Sequence, residues 1–372
     1  MSVFLSGSAD PTSTTIPRLD FELTGGCDHR CAHCYNVWTA SKGDAQASFP
    51  TGRPLPTAAF LAMMSKAVEQ SGATQITLTG GEPMLHRDAL HIISHACSLA
   101  SSVTLITNGS HITEAVAERF AEFGLRQVQL TLLAGERTLH DRLKGAVCFD
   151  DTVRAAVRLA SAGVGTQVCY VAMRENVGQL RAVMELCAAL SVRGLSYNRM
   201  SPTGRAIHHI ARLLPTADEI EDDLDVLDVL GRRWGISVGT AMPIPPCLIR
   251  TDRYTWVRFG YCSTGSHAPN IVIDGKGDVR SCNLSSGILG NIVRQDWPEI
   301  HANPYPRTFK QTIPEICRGC AHERSCQGGC KESAYATFGS HTAPDPLVWL
   351  ARNPDARSAL PAMVPQHAGV SK

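Results

Sequence analysis

The chain has 372 residues, 44% of them hydrophobic, and its 35 Lys and Arg nearly cancel 34 Asp and Glu for a formal net charge of +1. With no basic stripe or charge run, nothing points to a nucleic-acid or anionic-membrane partner, and no 18-residue apolar stretch reads as a membrane span. The length suits one large core with a smaller annex. Met1 to Pro17 is rich in Ser, Thr and Pro and lacks the basic and apolar regions of a secretory signal, so the expected location is the cytoplasm. In that reducing compartment the 14 cysteines point to metal binding rather than disulfides.

An apolar strand, Arg18 to Thr24, leads directly into Cys27-x3-Cys31-x2-Cys34. Zinc structural sites and closed 4Fe-4S carriers use four protein ligands, so three thiolates on one short loop suggest a cluster with one open iron. A zinc knuckle with a distant fourth ligand is the alternative. Further strand-like runs follow at Gln75 to Thr79, Val103 to Thr107, Gln127 to Leu132, Gly165 to Val171 and Gly194 to Arg199. Between them, 57–70, 89–100, 113–123, 151–162 and 178–190 carry apolar residues at helical spacing. Such alternation predicts a parallel sheet, and right-handed crossovers curl it into a partial (β/α)6 TIM-like barrel. Ligands of such barrels sit at the C-terminal strand ends, which places the cysteine loop at the mouth.

The second strand ends in Thr79-Gly-Gly-Glu-Pro83, where two glycines permit close backbone approach and Glu82 can accept hydrogen bonds. Strand six ends in Asn198-Arg-Met-Ser-Pro-Thr-Gly-Arg-Ala206, with Tyr197 and Arg199 expected near the mouth by alternation. One more helix, 216–234, precedes the stiff Met242-Pro-Ile-Pro-Pro246 break. The expected division is an N-terminal segment (1–17), a core barrel (18–240), a small cysteine-rich α+β domain (241–350) and a C-terminal tail (351–372). The second domain opens with a hairpin between Asn270 and Cys282, in a series Cys262-x14-Gly277-x4-Cys282, then Cys317-x2-Cys320-x5-Cys326-x3-Cys330. Two such cysteine clips could also bind zinc.

The cysteine loop with His33 and Tyr35, followed by Gly-Gly-Glu-Pro at strand two, closely resembles the radical S-adenosylmethionine (SAM) superfamily. That resemblance implies that Cys27, Cys31 and Cys34 hold a 4Fe-4S cluster whose open iron binds SAM and cleaves it to methionine and a 5'-deoxyadenosyl radical. It implies SAM contacts from Tyr35, Gly80, Gly81, Glu82, Asn108, Thr131 and Lys144, with the glycines and Glu82 at the methionine ammonium. The family's Ser-Leu-Asp-Gly at strand four is here Thr131-Leu-Leu-Ala-Gly135, so Leu133 lacks the aspartate's hydrogen bonds. Lys144, in His140-Asp-Arg-Leu-Lys-Gly145, keeps the charge of the usual arginine without its bidentate geometry.

The C-terminal series resembles the SPASM extension, which holds auxiliary 4Fe-4S clusters in peptide-maturing enzymes. By that resemblance Cys262, Cys282 and Cys330, with Cys247 as fourth ligand, serve a nearer cluster, and Cys317, Cys320 and Cys326 a distal one. Its last ligand is expected after an Asp-Pro, where this chain has Val348. The implied activity is an oxidative thioether, carbon-carbon or ether cross-link in a precursor peptide, with a flavodoxin or ferredoxin as low-potential donor. Rivals are a formylglycine maturase, disfavoured by Asn283 where that group has an aspartate, and a dehydrogenase or epimerase of a small sugar or amino-acid derivative, kept alive by only 17 residues preceding strand one. A non-enzymatic metal module is the last. Cys97, Cys148, Cys169 and Cys187 read as core residues, with Cys148 and Cys169 the ones that could approach the mouth.

Overall fold

The computed structural model describes residues 16–39, 54–266 and 268–365. The expectations for most of the N-terminal segment and for the end of the tail lie outside the described residues. In chain order the barrel runs β1 (Arg18–Glu22), α1 (Thr57–Ser71), β2 (Gln75–Thr79), α2 (Ala89–Leu99), β3 (Ser102–Thr107), α3 (Glu114–Glu122), β4 (Gln127–Thr131), α4 (Arg137–Lys144), α5 (Phe149–Ser161), β5 (Gly165–Ala172), α6 (Leu180–Ala189) and β6 (Gly194–Arg199). It continues through α7 (Ile210–Leu213), α8 (Ala217–Trp234), β7 (Ser237–Thr240) and β8 (Val257–Arg258). The cysteine-rich part adds β9 (Ile271–Ile273), β10 (Asp278–Arg280), β11 (Ile288–Asn291), α9 (Trp297–His301), α10 (Tyr305–Gln311), α11 (Glu323–Cys326), α12 (Lys331–Phe338), α13 (Pro346–Arg352) and α14 (Leu360–Met363).

The strands make one sheet in the order β11-β10-β9-β1-β2-β3-β4-β5-β6-β7-β8. Its first six barrel strands match the sequence reading to within two residues, because each carries a buried apolar run between helical stretches. β7 and β8 are additions; with four and two residues they are too short to show a period. The amphipathic but largely polar α4, RTLHDRLK, also escaped the apolar pattern.

The hairpin forms as expected, but β9 also pairs in parallel with β1, Leu19 opposite Ile271 and Phe21 opposite Ile273. The chain therefore leaves the sheet at β8 on one side and re-enters at β9 on the other. Ile271, Ile273, Val279, Ile292 and Trp297 share one hydrophobic core with β1 to β4 and the helices α1 to α3. A buried ion pair, Arg280 with Glu22, ties β10 to β1.

A second core packs β5 to β7 against α6 and α8. Tyr197 belongs there, not at the barrel mouth: its ring stacks on Tyr170 at 6.0 Å between centroids, and its hydroxyl donates to Asp223 at 3.0 Å. The pleat sends its neighbours Ser196 and Asn198 to the inner side instead. Burial lifts the Asp223 carboxyl to about 7, although the Tyr197 hydrogen bond pulls the other way. Its folded pKa thus exceeds its unfolded one, so native Asp223 holds a proton that the unfolded chain has lost. This costs stability progressively as pH rises from about 4 to 7, on the order of 4 kcal/mol in full. Asp223→Asn is expected to abolish most of that decline, read as the urea midpoint at pH 5 against pH 8.

Candidate active site

Three glycine-bearing turns clamp the cysteine loop. At the end of β2, Gly81 N–H donates to Thr24 O at 2.7 Å and Glu82 N–H to Gly26 O at 2.8 Å. A Cβ on Gly80, whose φ is +133°, would meet Thr24 O at 2.5 Å, and one on Gly81 would overlap the Gly26 carbonyl. At the end of α4, Arg30 N–H donates to Lys144 O at 3.1 Å, and a Cβ on Gly145 would come within 2.6 Å of Arg30 O. After β6, Gly204 lies against the backbone of Cys34 to Asn36. Thr203 Oγ1 there donates to Tyr35 O at 3.0 Å and Arg205 to Cys31 O at 3.3 Å. The Pro-Thr-Gly-Arg-Ala turn is therefore more than a chain reversal: it seats the third cysteine.

Glu82 is a hub between strand ends. Its carboxylate, 1% exposed, accepts from Thr107 Oγ1 at 2.7 Å, Met84 N–H at 3.0 Å and Asn108 N–H at 2.7 Å. Desolvation raises its pKa while these hydrogen bonds oppose the rise. Asn108 in turn donates through Nδ2 to Asp28 Oδ1 at 2.7 Å, inside the cysteine loop. Asn36, which the sequence reading missed, donates to Gly80 O at 2.9 Å. No spacing rule flags it, since it reaches across 44 residues.

These residues open on a cavity of about 920 Å³. Tyr35, Gly80, Gly81, Glu82, Asn108, Thr131 and Lys144 all line it, as do Cys27, Cys31 and Cys34. Lys144 is 2% exposed, and no carboxylate pairs with it among the described residues. Burial lowers the pKa of His29 to about 4 and of His33 to about 3, with the charge of Lys144 second in each case. A buried ammonium surrounded by neutral imidazoles calls for an anion.

The three thiols suit a cluster better than a single ion. No three cysteine sulfurs among the described residues lie within 4.8 Å of one another, whereas zinc, with bonds near 2.3 Å, would hold them about 3.8 Å apart. Burial pushes the Cys27 thiol up to about 12, so it ionises only beside a cation. A family model of the radical SAM superfamily matches residues 21–187. Residues 21–187 are a radical SAM domain. Like other radical SAM enzymes, the chain uses SAM with a 4Fe-4S cluster.

Its relatives extend over nearly its whole length. It is 26% identical over 352 residues to the PqqA peptide cyclase of Methylocella silvestris, covering 92% of this chain and 89% of that one. It is 25% identical over 351 residues to the AdoMet-dependent heme synthase of Oleidesulfovibrio alaskensis, covering 88% and 85%. Among solved structures, SuiB of Streptococcus suis bound to the precursor peptide SuiA superposes with a TM-score of 0.70 at 17% identity, over 89% of this enzyme and 75% of SuiB. That likeness confirms the barrel and its C-terminal extension as a fold.

The seven C-terminal thiols of the enzyme divide into two places. Cys262, Cys282 and Cys330 line the central cavity with Glu332. Burial raises Cys282 well above its ordinary value, followed by the charges of Glu332, Cys262 and Cys330. Cys247, expected with them, is exposed, lies outside that lining, and is near enough to Cys320 for their charges to interact. Val348 is buried in α13. Cys317, Cys320 and Cys326 are also outside the cavity lining.

Tyr35 hydrogen bonds to Asn283, next to Cys282, so the first cysteine loop touches the hairpin of the second set. Asn283 also accepts from Asn270 at 3.3 Å; a carboxamide in that network takes up no proton. Cys169 does reach the cavity and accepts from Asn198 at 3.4 Å, while Cys148 is buried and outside its lining. Cys148 forms a close group with His140 and Asp141, but Asp141 is occupied in capping α5, accepting from Cys148 N–H at 2.9 Å and Phe149 N–H at 2.8 Å.

Proposed function

We propose that this radical SAM enzyme takes a hydrogen atom from a precursor peptide and closes an oxidative thioether, carbon-carbon or ether cross-link. The observation that carries this reading is a single cavity lined by both Cys27, Cys31, Cys34 and Cys262, Cys282, Cys330. A substrate there meets the site of hydrogen removal and a neighbouring site able to accept the electron released on bond formation. The peptide substrate is supported by the relative named a peptide cyclase.

SAM bound to its 4Fe-4S cluster supplies a carbon-centred radical that removes the hydrogen atom. Cys27, Cys31 and Cys34 hold that cluster. Lys144, which has no carboxylate partner among the described residues, would receive the carboxylate of SAM. Gly80, Gly81 and Glu82 would hold its ammonium, Glu82 through lone pairs that its three donors leave free. Asn108, Thr131 and Tyr35 offer polar atoms along the same wall. Cys262, Cys282 and Cys330 hold an auxiliary cluster, and a low-potential flavodoxin or ferredoxin in the cytoplasm supplies the starting electron. No helix among the described residues is long and apolar enough to cross a membrane.

The test is anaerobic reconstitution with iron and sulfide, then SAM, a reductant and a synthetic copy of any short peptide encoded beside the gene. The expected results are 5'-deoxyadenosine and a peptide two hydrogens lighter. No 5'-deoxyadenosine, or undiminished formation after Cys27, Cys31 and Cys34 are all changed to Ala, would overturn the reading. The relative that is a heme synthase favours a second reading, oxidation of a small metabolite in the same cavity. It predicts faster 5'-deoxyadenosine release with a porphyrin precursor and none with the peptide.

A further inference from the structure

The sequence leaves the distal cysteines one ligand short, since valine stands at position 348 where the missing thiol was expected. The structure brings another segment to that place. Arg199, 1% exposed, donates from Nε to Pro243 O at 2.8 Å and forms a buried ion pair with Asp345. Asp345 Oδ2 accepts from Cys330 N–H at 2.7 Å, and a Cβ on Gly329 would meet the same oxygen at 2.6 Å. Two side chains thus pin the 243–247 segment against the turn that carries Cys326 to Cys330.

The local chain then aims Cys247 outward. Pro245 and Pro246 have no N–H, and the N–H groups of Leu248 and Ile249 both fold back on Pro245 O, at 3.0 and 3.3 Å. Ile244 and Ile249 bury beside Leu347 of α13 in one apolar cluster, which leaves Cys247 exposed between them. On the facing turn, Cys320 Sγ accepts from His322 N–H at 3.4 Å. Cys326 takes backbone hydrogen bonds from Gly328 and Gly329, donors of the kind that tune cluster sulfurs. Cys247 lies near enough to Cys317, Cys320 and Cys326 for its charge to act on each of them.

We propose that Cys247, Cys317, Cys320 and Cys326 form a complete four-thiolate cluster site, while Cys262, Cys282 and Cys330 form a three-thiolate site open to the cavity. This inference rests on the reading that both sets hold iron-sulfur clusters. It reverses the ligand count that the sequence suggested. The distal site is closed and lies off the cavity, where it can only pass electrons. The inner site keeps an iron position that a substrate atom or Glu332 can reach, 5% exposed beside Cys282.

The experiment compares Cys247→Ala, Cys317→Ala and Cys262→Ala with their double variants in the full chain, reconstituted anaerobically. Iron and sulfide counts and low-temperature EPR of the reduced protein are the readouts. Cys247→Ala is expected to alter the same EPR signal as Cys317→Ala, and the pair together should lose no more iron than Cys317→Ala alone. With Cys262→Ala the losses should add, each about four irons or fewer. The reverse pattern, or full iron and an unchanged spectrum in Cys247→Ala, would overturn the assignment. Unchanged iron in Cys317→Ala and Cys262→Ala as well would instead refute the auxiliary clusters. Circular dichroism and the SAM-induced shift in the first cluster's EPR signal show whether each variant has folded, and Cys247→Ser repeats the test without a cavity.

Discussion

Gly81→Ala is expected to cut SAM cleavage at least a hundredfold while leaving the iron of the C-terminal sites in place. The added methyl would overlap the Gly26 carbonyl, with Gly26 C at 2.7 Å and Gly25 O at 2.8 Å. These are backbone atoms fixed by the hydrogen bonds of Gly81 to Thr24 and Glu82 to Gly26, so the loop itself must move. Cys27 follows Gly26 directly, and a displacement near 1 Å at a reacting centre costs about 10²-fold. The measurements are 5'-deoxyadenosine formed per minute and iron per chain. A rate within threefold of the parent would show that the loop is not positioned by this contact.

Arg280→Met is expected to destabilise the fold by about 3–5 kcal/mol, because it strips the partner from a buried carboxylate. Glu22 is 1% exposed and Arg280 4%; Arg280 also donates to Ser285 O at 2.9 Å and lies over the Trp38 ring at 5.7 Å. Burial already raises Glu22, with Arg280 the main opposing charge. Without Arg280 the folded pKa of Glu22 would climb further above its unfolded value. The penalty should therefore grow as pH rises and shrink in acid, where native Glu22 is protonated. Urea midpoints across pH 5 to 8 test this. Changing Glu22 to Gln in the same chain should recover much of the loss at pH 8, since the uncharged amide needs no cation.

The barrel was legible because its signals are local. Each early strand is an apolar run with a helix behind it, and the cysteine loop and Gly-Gly-Glu-Pro turn sit at strand ends where the topology puts ligands. What the sequence could not supply was pairing across distance. Cys247 precedes the near and distal sets alike, and its place beside Cys320 depends on side chains remote in sequence, Arg199 and Asp345, that hold the Pro243 end of its segment. Tyr197 and Arg199 share one strand face by alternation, yet Tyr197 meets α8 while Arg199, at the strand end, turns to Pro243 and Asp345. Lys144 shows the opposite case: the sequence already marked it as a charge without the bidentate geometry of arginine, and the structure places it in the cavity wall with no carboxylate partner among the described residues.

The parallel pairing of β9 with β1 also bears on modularity. A chain cut after β7 would expose β1 as a raw sheet edge, with unpaired N–H and C=O groups from Leu19 to Phe21. It would also strip Ile271, Ile273, Val279 and Trp297 from the core that β1 shares with them. The cysteine-rich part is thus no detachable accessory; losing it in evolution, or trimming it in the laboratory, leaves an aggregation-prone remnant rather than a simpler enzyme.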